Sequence, residues 1–281
     1  MLQCLLLLCL SMTAPLFANE VASNEQSVTL LAQGEEFQII HRPAMAAEHR
    51  GAVILIPSLH DPYGNRQGFA RLRLALSEQG YSSYLVVNTR MEQKEIEPLG
   101  TVESTRKIPE QETLPKNQSP AHGNKPTYVP PYQQAITEKA LNTHRRLLEA
   151  RLEATFAHAQ ASGRPISLIA VGQNAGLLSE FLSDYPDMQL QAFISIGAYL
   201  SDPQRHQHIG ANLSVLATAV LDVHNPGQHP WALAQRAQRQ QWAQKNHKLD
   251  YRQIWFSADL IDAQQTERLS REIDGFLRRL F

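Results

Sequence analysis

A chain of 281 residues with 26 Lys and Arg against 27 Asp and Glu carries a net charge of -1, which disfavours nucleic acid and anionic membrane as partners. Its two cysteines, Cys4 and Cys9, both fall in an N-terminal apolar run, so a disulfide framework, a thiol nucleophile and a cysteine metal site are excluded from the rest. A length of this order makes one α/β domain or two small ones, with a core that needs no bridges.

Leu2 to Leu10 is almost entirely Leu and Cys, and small residues between Ala14 and Ala18 precede the polar Asn19. That pattern predicts a cleaved secretory signal over 1–18 and a periplasmic mature chain over 19–281. The run is about half of the ~20 residues that a membrane span needs. Two features depart from the usual leader: no Lys or Arg precedes the run, and Leu16 stands where a small residue is customary. Cys9 follows Leu8, which is larger than the residue a lipidation site carries.

Val28 to Leu31 and Glu36 to His41, divided by Gln33-Gly34, predict a hairpin at a sheet edge. GAVILIP at 51–57 is branched and apolar without alternation, as in a parallel strand buried on both faces. The loop SLHDPYGNR follows, then a helix marked by Phe69, Leu72 and Leu76 and closed by Gly80, then a strand over Ser82 to Asn88. Met91 to Pro131 is polar, charged and proline-rich, without a hydrophobic period, and predicts a mobile insertion. Gln134 to Ala161 reads as one long helix with Ile136, Ala140, Leu147, Leu148, Leu152 and Phe156 inward; Arg145, Arg146 and Arg151 fall on a solvated face with Glu149 and Glu153.

Ile166 to Asp184, ISLIAVGQNAGLLSEFLSD, is a strand, a sharp turn and a helix. The turn has the outline of G-x-S-x-G, the nucleophile elbow in which a serine is raised at positive φ above an α/β-hydrolase sheet. Asn174 stands in the serine's place between Gly172 and Gly176. Asparagine tolerates the left-handed region better than other side chains, but a neighbouring base cannot activate a carboxamide for attack. Further strands are predicted at Phe193 to Ile196, Val215 to Leu221 ending at Asp222, and Tyr251 to Phe256. A last helix carries Leu269, Ile273, Phe276, Leu277 and Leu280 on one stripe. Trp231 and Trp242, on a helix begun by Pro230, read as packing residues. The repeating βα order implies an α/β fold with a mostly parallel central sheet and helices on both faces.

The segment GEEFQIIHRPAMAAEHRGAVILIPSLHDPYGN, the turn VGQNAG, the long insertion and the C-terminal LDYRQIWFSADLIDAQQTERLSREIDGFLRRL resemble a bacterial family designated domain of unknown function 3530, grouped with the α/β-hydrolases. The resemblance implies the α/β-hydrolase fold and no substrate. Carried over residue by residue, it puts Asn174 at the nucleophile, Asp222 at the acid, and the amides of Leu59 and Ala175 at the oxyanion site. The histidine expected after Phe256 is missing, since none follows His247.

Three functional readings follow. The leading one is a non-catalytic periplasmic protein, a pseudoenzyme that binds a small anionic or acyl ligand near Leu59, Gly172, Ala175 and Gly176, with no cofactor. The second is an esterase with a relocated nucleophile at Ser58, near His60 and Asp61. The third is a metal-binding protein using His206, His208, Asp222, His224 and His229.

Overall fold

The computed structural model describes residues 24–61, 68–87, 96–98, 134–258, 260 and 262–280. The expected leader over 1–18 and all of the 91–131 stretch except Ile96–Pro98 lie outside them. Strands β1 (Gln26–Ala32) and β2 (Glu35–Arg42) pair antiparallel, from Gln26↔His41 to Ala32↔Glu35. Gln33 and Gly34 between them have φ of 52° and 84°. Two consecutive left-handed residues give the turn whose twist matches that of the flanking strands.

β3 (Gly51–Ile56) is buried along its whole length. Helix α1 (Phe69–Glu78) ends before Gly80, whose φ is 98° and where a Cβ would lie 2.3 Å from the Glu48 carbonyl oxygen. Only glycine fits there, and β4 (Tyr81–Val86) starts directly afterwards. Two three-residue strands, β5 (Ile96–Pro98) and β6 (Gln134–Ile136), pair antiparallel as a separate ladder. Helix α2 (Glu138–Gln160) therefore begins four residues later than the sequence period suggests. Thr137 is extended and its hydroxyl accepts the Ala140 N–H at 3.2 Å, so the cap sets the boundary.

The remaining order is β7 (Ile166–Val171), α3 (Gly172–Asp184), β8 (Ala192–Ile196), α4 (Pro203–Val215), β9 (Ala219–His224), α5 (Pro230–Ala234), α6 (Arg236–Lys245), β10 (Tyr251–Trp255) and α7 (Ala263–Leu277). Helix α4 corrects the expectation of a strand from Val215. Asp202 caps it by accepting the Arg205 N–H at 2.9 Å, Pro203 opens it, and β9 starts only at Ala219. The two tryptophans also separate, Trp231 onto α5 and Trp242 onto α6.

One eight-stranded sheet runs β1-β2-β4-β3-β7-β8-β9-β10. The first two pairings are antiparallel and the other five parallel, which is a doubly wound α/β architecture. Alternate strand residues feed two cores. Ile54, Ile56, Leu168, Ala170 and Phe193 meet the Leu148, Leu152, Phe181 and Ile209 side, whereas Val53, Leu55, Ile169, Ile194 and Leu221 meet Leu72, Leu76, Leu269 and Ile273. Burial on both faces explains why these strands lack polar alternation. Arg151 departs from its expected solvated place: it is buried, donates to the Val87 carbonyl at 3.2 Å, and lies over the Phe37 ring.

Candidate functional site

The chain reverses at Gly172, not at Asn174. Val171 leaves β7 extended, and Gly172 takes φ of 62° as the first residue of α3. Asn174 is then the third helical residue and does not have positive φ. The physical reason is local: a glycine stands two positions earlier and enters the left-handed region without the Cβ penalty that asparagine would bear. The shift also changes the expected oxyanion amide. With α3 starting at Gly172, α-helical geometry directs the Ala175 N–H to the Val171 carbonyl. Gly176 is needed for close packing, since a Cβ there would lie 2.4 Å from the Tyr199 carbonyl oxygen and 2.8 Å from Leu200 Cγ.

Asn174 is 0% exposed. Its Nδ2 donates to the Pro57 carbonyl at 2.7 Å, and its Oδ1 is 2.8 Å from His144 Nε2. With the amide oxygen as acceptor, the imidazole must carry its proton on Nε2. Burial lowers the His144 pKa, Arg151 adds to this and the Asn174 bond opposes it, so the ring is neutral near pH 7. Asn174 thus ties the end of β3 to α2. Asn174→Ala removes both bonds and leaves the buried His144 N–H without this acceptor. We expect a loss of about 2–4 kcal/mol, checked by urea unfolding.

Sequence reasoning missed His144, although it lies in phase with Ala140, Leu148 and Leu152, four residues apart on the buried stripe of α2.

Asp222 lies inside β9, opposite Ser195 of β8 and Gln253 of β10, rather than in the loop beyond the strand. It is 0% exposed and gathers His224 Nε2 at 2.9 Å, Tyr251 Oη at 2.9 Å, Arg239 Nη1 at 3.2 Å and Gln253 Nε2 at 3.3 Å. Burial alone would raise its pKa, but the His224 and Arg239 charges and the His224 and Tyr251 hydrogen bonds hold it well below the usual carboxylate range. This is an internal ion network under α6, since Arg239 also reaches the Ala198 carbonyl.

The β3 loop closes on itself. Ser58 Oγ accepts the His60 N–H at 3.4 Å, and the Ser58 carbonyl accepts the Asp61 N–H at 3.0 Å. Leu59 is buried in this turn, and His60 is exposed beside it. A Cβ placed on Gly172 would lie 3.5 Å from both Ser58 Oγ and Tyr199 Cε1. Tyr199, which the sequence did not single out, stacks on His229 at 4.2 Å, and Trp231 meets His229 edge-on at 5.7 Å. The carboxyl ends of β3, β7, β8 and β9 therefore bring Ser58, Gly172, Tyr199 and His229 to one rim.

The metal candidates do not converge. His206 and His208 are two apart on α4, which puts them on different faces; His206 is buried against Trp231 and His208 is exposed. Among the described residues no three His, Cys, Asp or Glu side chains are placed to share an ion. Nor is any helix among them long and apolar enough to cross a membrane.

Several solved structures share the fold. The esterase domain of a Rhodothermus marinus protein is 12% identical, with 91% of this chain and 99% of that chain covered and a TM-score of 0.57. A dienelactone hydrolase from Anabaena variabilis is 11% identical over 91% and 97%, with a TM-score of 0.57. A soluble variant of monoglyceride lipase from Saccharomyces cerevisiae is 11% identical over 94% and 98%, with a TM-score of 0.58. Likeness at this identity shows the α/β-hydrolase fold and no activity. No curated protein matches the chain. Residues 10–279 match the model of a family described as protein of unknown function, DUF3530, and the chain belongs to that family.

Proposed function

We propose that this chain is a non-catalytic α/β-hydrolase-like protein of the periplasm that holds a small anionic or acyl ligand at the carboxyl edge of its sheet. The observation that carries the reading is the use of Asn174. Asn174, which the resemblance puts at the nucleophile, is fully buried within α3, and both polar atoms of its side chain are engaged with His144 and Pro57. A group so held cannot reach a carbonyl carbon, and a carboxamide could not be activated to attack one. The ligand side of the proposal is supported by the rim over Gly172, where ligands bind in open α/β sheets. Export is supported by the apolar run and small residues of 1–18.

The test is hydrolysis of p-nitrophenyl acetate by the purified mature chain, with hexanoate as the stabilising ligand in thermal unfolding. We expect no turnover above the buffer rate and a raised Tm with hexanoate. Ester cleavage abolished by one substitution would end the reading. Release of the chain by osmotic shock, shortened by its leader, checks the compartment.

One observation favours a second reading. Ser58 Oγ lies beside the chain reversal, 3.5 Å from the Cβ position of Gly172 and next to His60 in sequence. A relocated serine esterase would lose its turnover in Ser58→Ala, and equal rates in the two proteins remove that reading.

A further inference from the structure

Strand β10 closes one side of the sheet. It pairs with β9, and among the described residues no other strand adjoins it. Its main-chain groups divide by parity. The Val220 N–H donates to the Asp250 carbonyl at 2.9 Å and the Phe256 N–H to the His224 carbonyl at 2.8 Å, so in a parallel ladder Arg252 and Ile254 take the bonds between them. Gln253 and Trp255 therefore turn their N–H and C=O groups outward, away from β9. No residue of β10 is fully buried, and Trp255 is 42% exposed. The strand has neither Pro nor Lys, two of the devices that blunt an open edge.

Each face of this edge ends in a cation. Odd-numbered side chains turn towards α6, where Gln253 Nε2 donates to the Arg236 carbonyl at 3.0 Å and the Arg236 guanidinium lies 5.1 Å from the centre of the Trp255 ring. Even-numbered ones turn towards α7, where Ile254 and Phe256 join Leu269 and Ile273 and the Arg268 guanidinium lies 4.9 Å from the centre of the Phe256 ring. Arg236 and Arg268 are both exposed, and neither has a carboxylate partner among the described residues. Arg252, the basic residue of the strand itself, is already paired with Glu272 at 2.8 Å. A ring beneath each free guanidinium fixes its place and leaves its N–H fork open to an acceptor.

We propose that the outer edge of β10 receives an extended acidic segment of a partner protein as one further strand, with two consecutive carboxylates that meet Arg236 on one face and Arg268 on the other. Main-chain bonds to Gln253 and Trp255 supply the adhesion, and the two guanidiniums supply the choice of partner. Successive side chains of a strand point to opposite faces, so neighbouring acidic residues reach both cations where alternate ones reach a single cation. A second copy of β10 does not meet this requirement, since YRQIW carries one basic residue and no acidic one. The surface lies at the side of the sheet, and the inference does not depend on the ligand proposed above.

The experiment uses the full mature chain and a labelled peptide, acetyl-Thr-Val-Thr-Glu-Glu-Val-Thr-amide, followed by fluorescence anisotropy and by amide hydrogen exchange. We expect saturable binding and slowed exchange at the Gln253 and Trp255 amides, which exchange quickly in the unbound chain. The Lys-Lys counterpart should not bind, and a Glu-Thr-Glu version, with both carboxylates on one face, should bind more weakly. Arg236→Gln and Arg268→Gln, at exposed positions, should keep the circular dichroism of the wild type and each weaken binding about threefold, the size of an exposed ion pair. No binding, equal affinity for the Lys-Lys peptide, unchanged exchange at the two amides in the complex, or wild-type affinity in both variants would each overturn the proposal. A chain that dimerises alone, with those amides protected, would overturn it in favour of a second copy at this edge.

Discussion

Asp222→Ala should lower the unfolding free energy by about 3–5 kcal/mol, the loss seen when one partner of a buried ion pair is removed. The carboxylate is the centre of a network closed to water, with His224, Arg239 and Tyr251 all directed to it. Its removal leaves the Arg239 guanidinium buried under α6 with only the Ala198 carbonyl as a described partner. For a chain of this size the loss corresponds to a Tm lower by roughly 10 °C. Asp222→Asn keeps the volume and removes the charge, so it should be nearly as destabilising. The combination Asp222→Asn with Arg239→Met should recover part of the loss, because no uncompensated cation remains. A Tm unchanged in Asp222→Ala would mean that the network does not hold β9, β10 and α6 together. An acid required for turnover would instead leave stability intact when replaced, so this measurement also separates the two roles that Asp222 could have.

Acid should destabilise the protein well above the pH at which its carboxylates titrate. His206 is buried on α4, accepts the Leu200 N–H at Nδ1 and donates from Nε2 to the Trp231 carbonyl, the pattern of a neutral ring. Burial, reinforced by Arg239, lowers its pKa from 6.5 to about 4. The folded-state pKa is below the unfolded one, so the unfolded chain takes up the proton first. Stability is therefore full above the unfolded pKa and falls as pH drops from 6.5 towards 4. The total for His206 is on the order of 3 kcal/mol at 1.36 kcal/mol per unit. His144 and His41 shift in the same direction through burial, and half-buried His229 adds a smaller, solvent-screened share. Urea midpoints across this window should decline steadily, and His206→Gln should remove close to one proton from the slope. A flat profile between neutral pH and pH 5 would contradict the assignment of neutral buried rings.

The two measurements bear on what was legible in the chain. GAVILIP and ISLIAV are short and rich in β-branched residues, which favours strands covered on both faces, and β3 and β7 lie side by side at the middle of the sheet. The Gln33-Gly34 turn and the Gly80 stop were equally local, because a positive φ is written in the residue that tolerates it. The errors came where a cap overruled a period. Thr137 shortened α2, and α4, opened by Asp202 and Pro203, runs to Val215, where a strand was expected to begin.

The site was less legible, for a different reason. Asn174 and Asp222 stand out in the sequence, yet what they touch depends on His144, Arg239 and Tyr251, which are 30, 17 and 29 residues away in the chain. No periodicity encodes such a meeting. Arg151 shows the same limit: a helical wheel placed it with the solvated charges, whereas the Val87 carbonyl and the Phe37 ring hold it inside.

Gly176 has a wider bearing. The absent methyl lets the backbone at Tyr199 lie directly on α3, and that contact would be required whether or not the helix presented a reactive hydroxyl. Two glycines four apart after a buried strand thus report how closely two main-chain segments approach. A genome survey keyed to that spacing alone gathers proteins alike in shape, and sorting catalysts from the rest needs the atom between the glycines and what it touches.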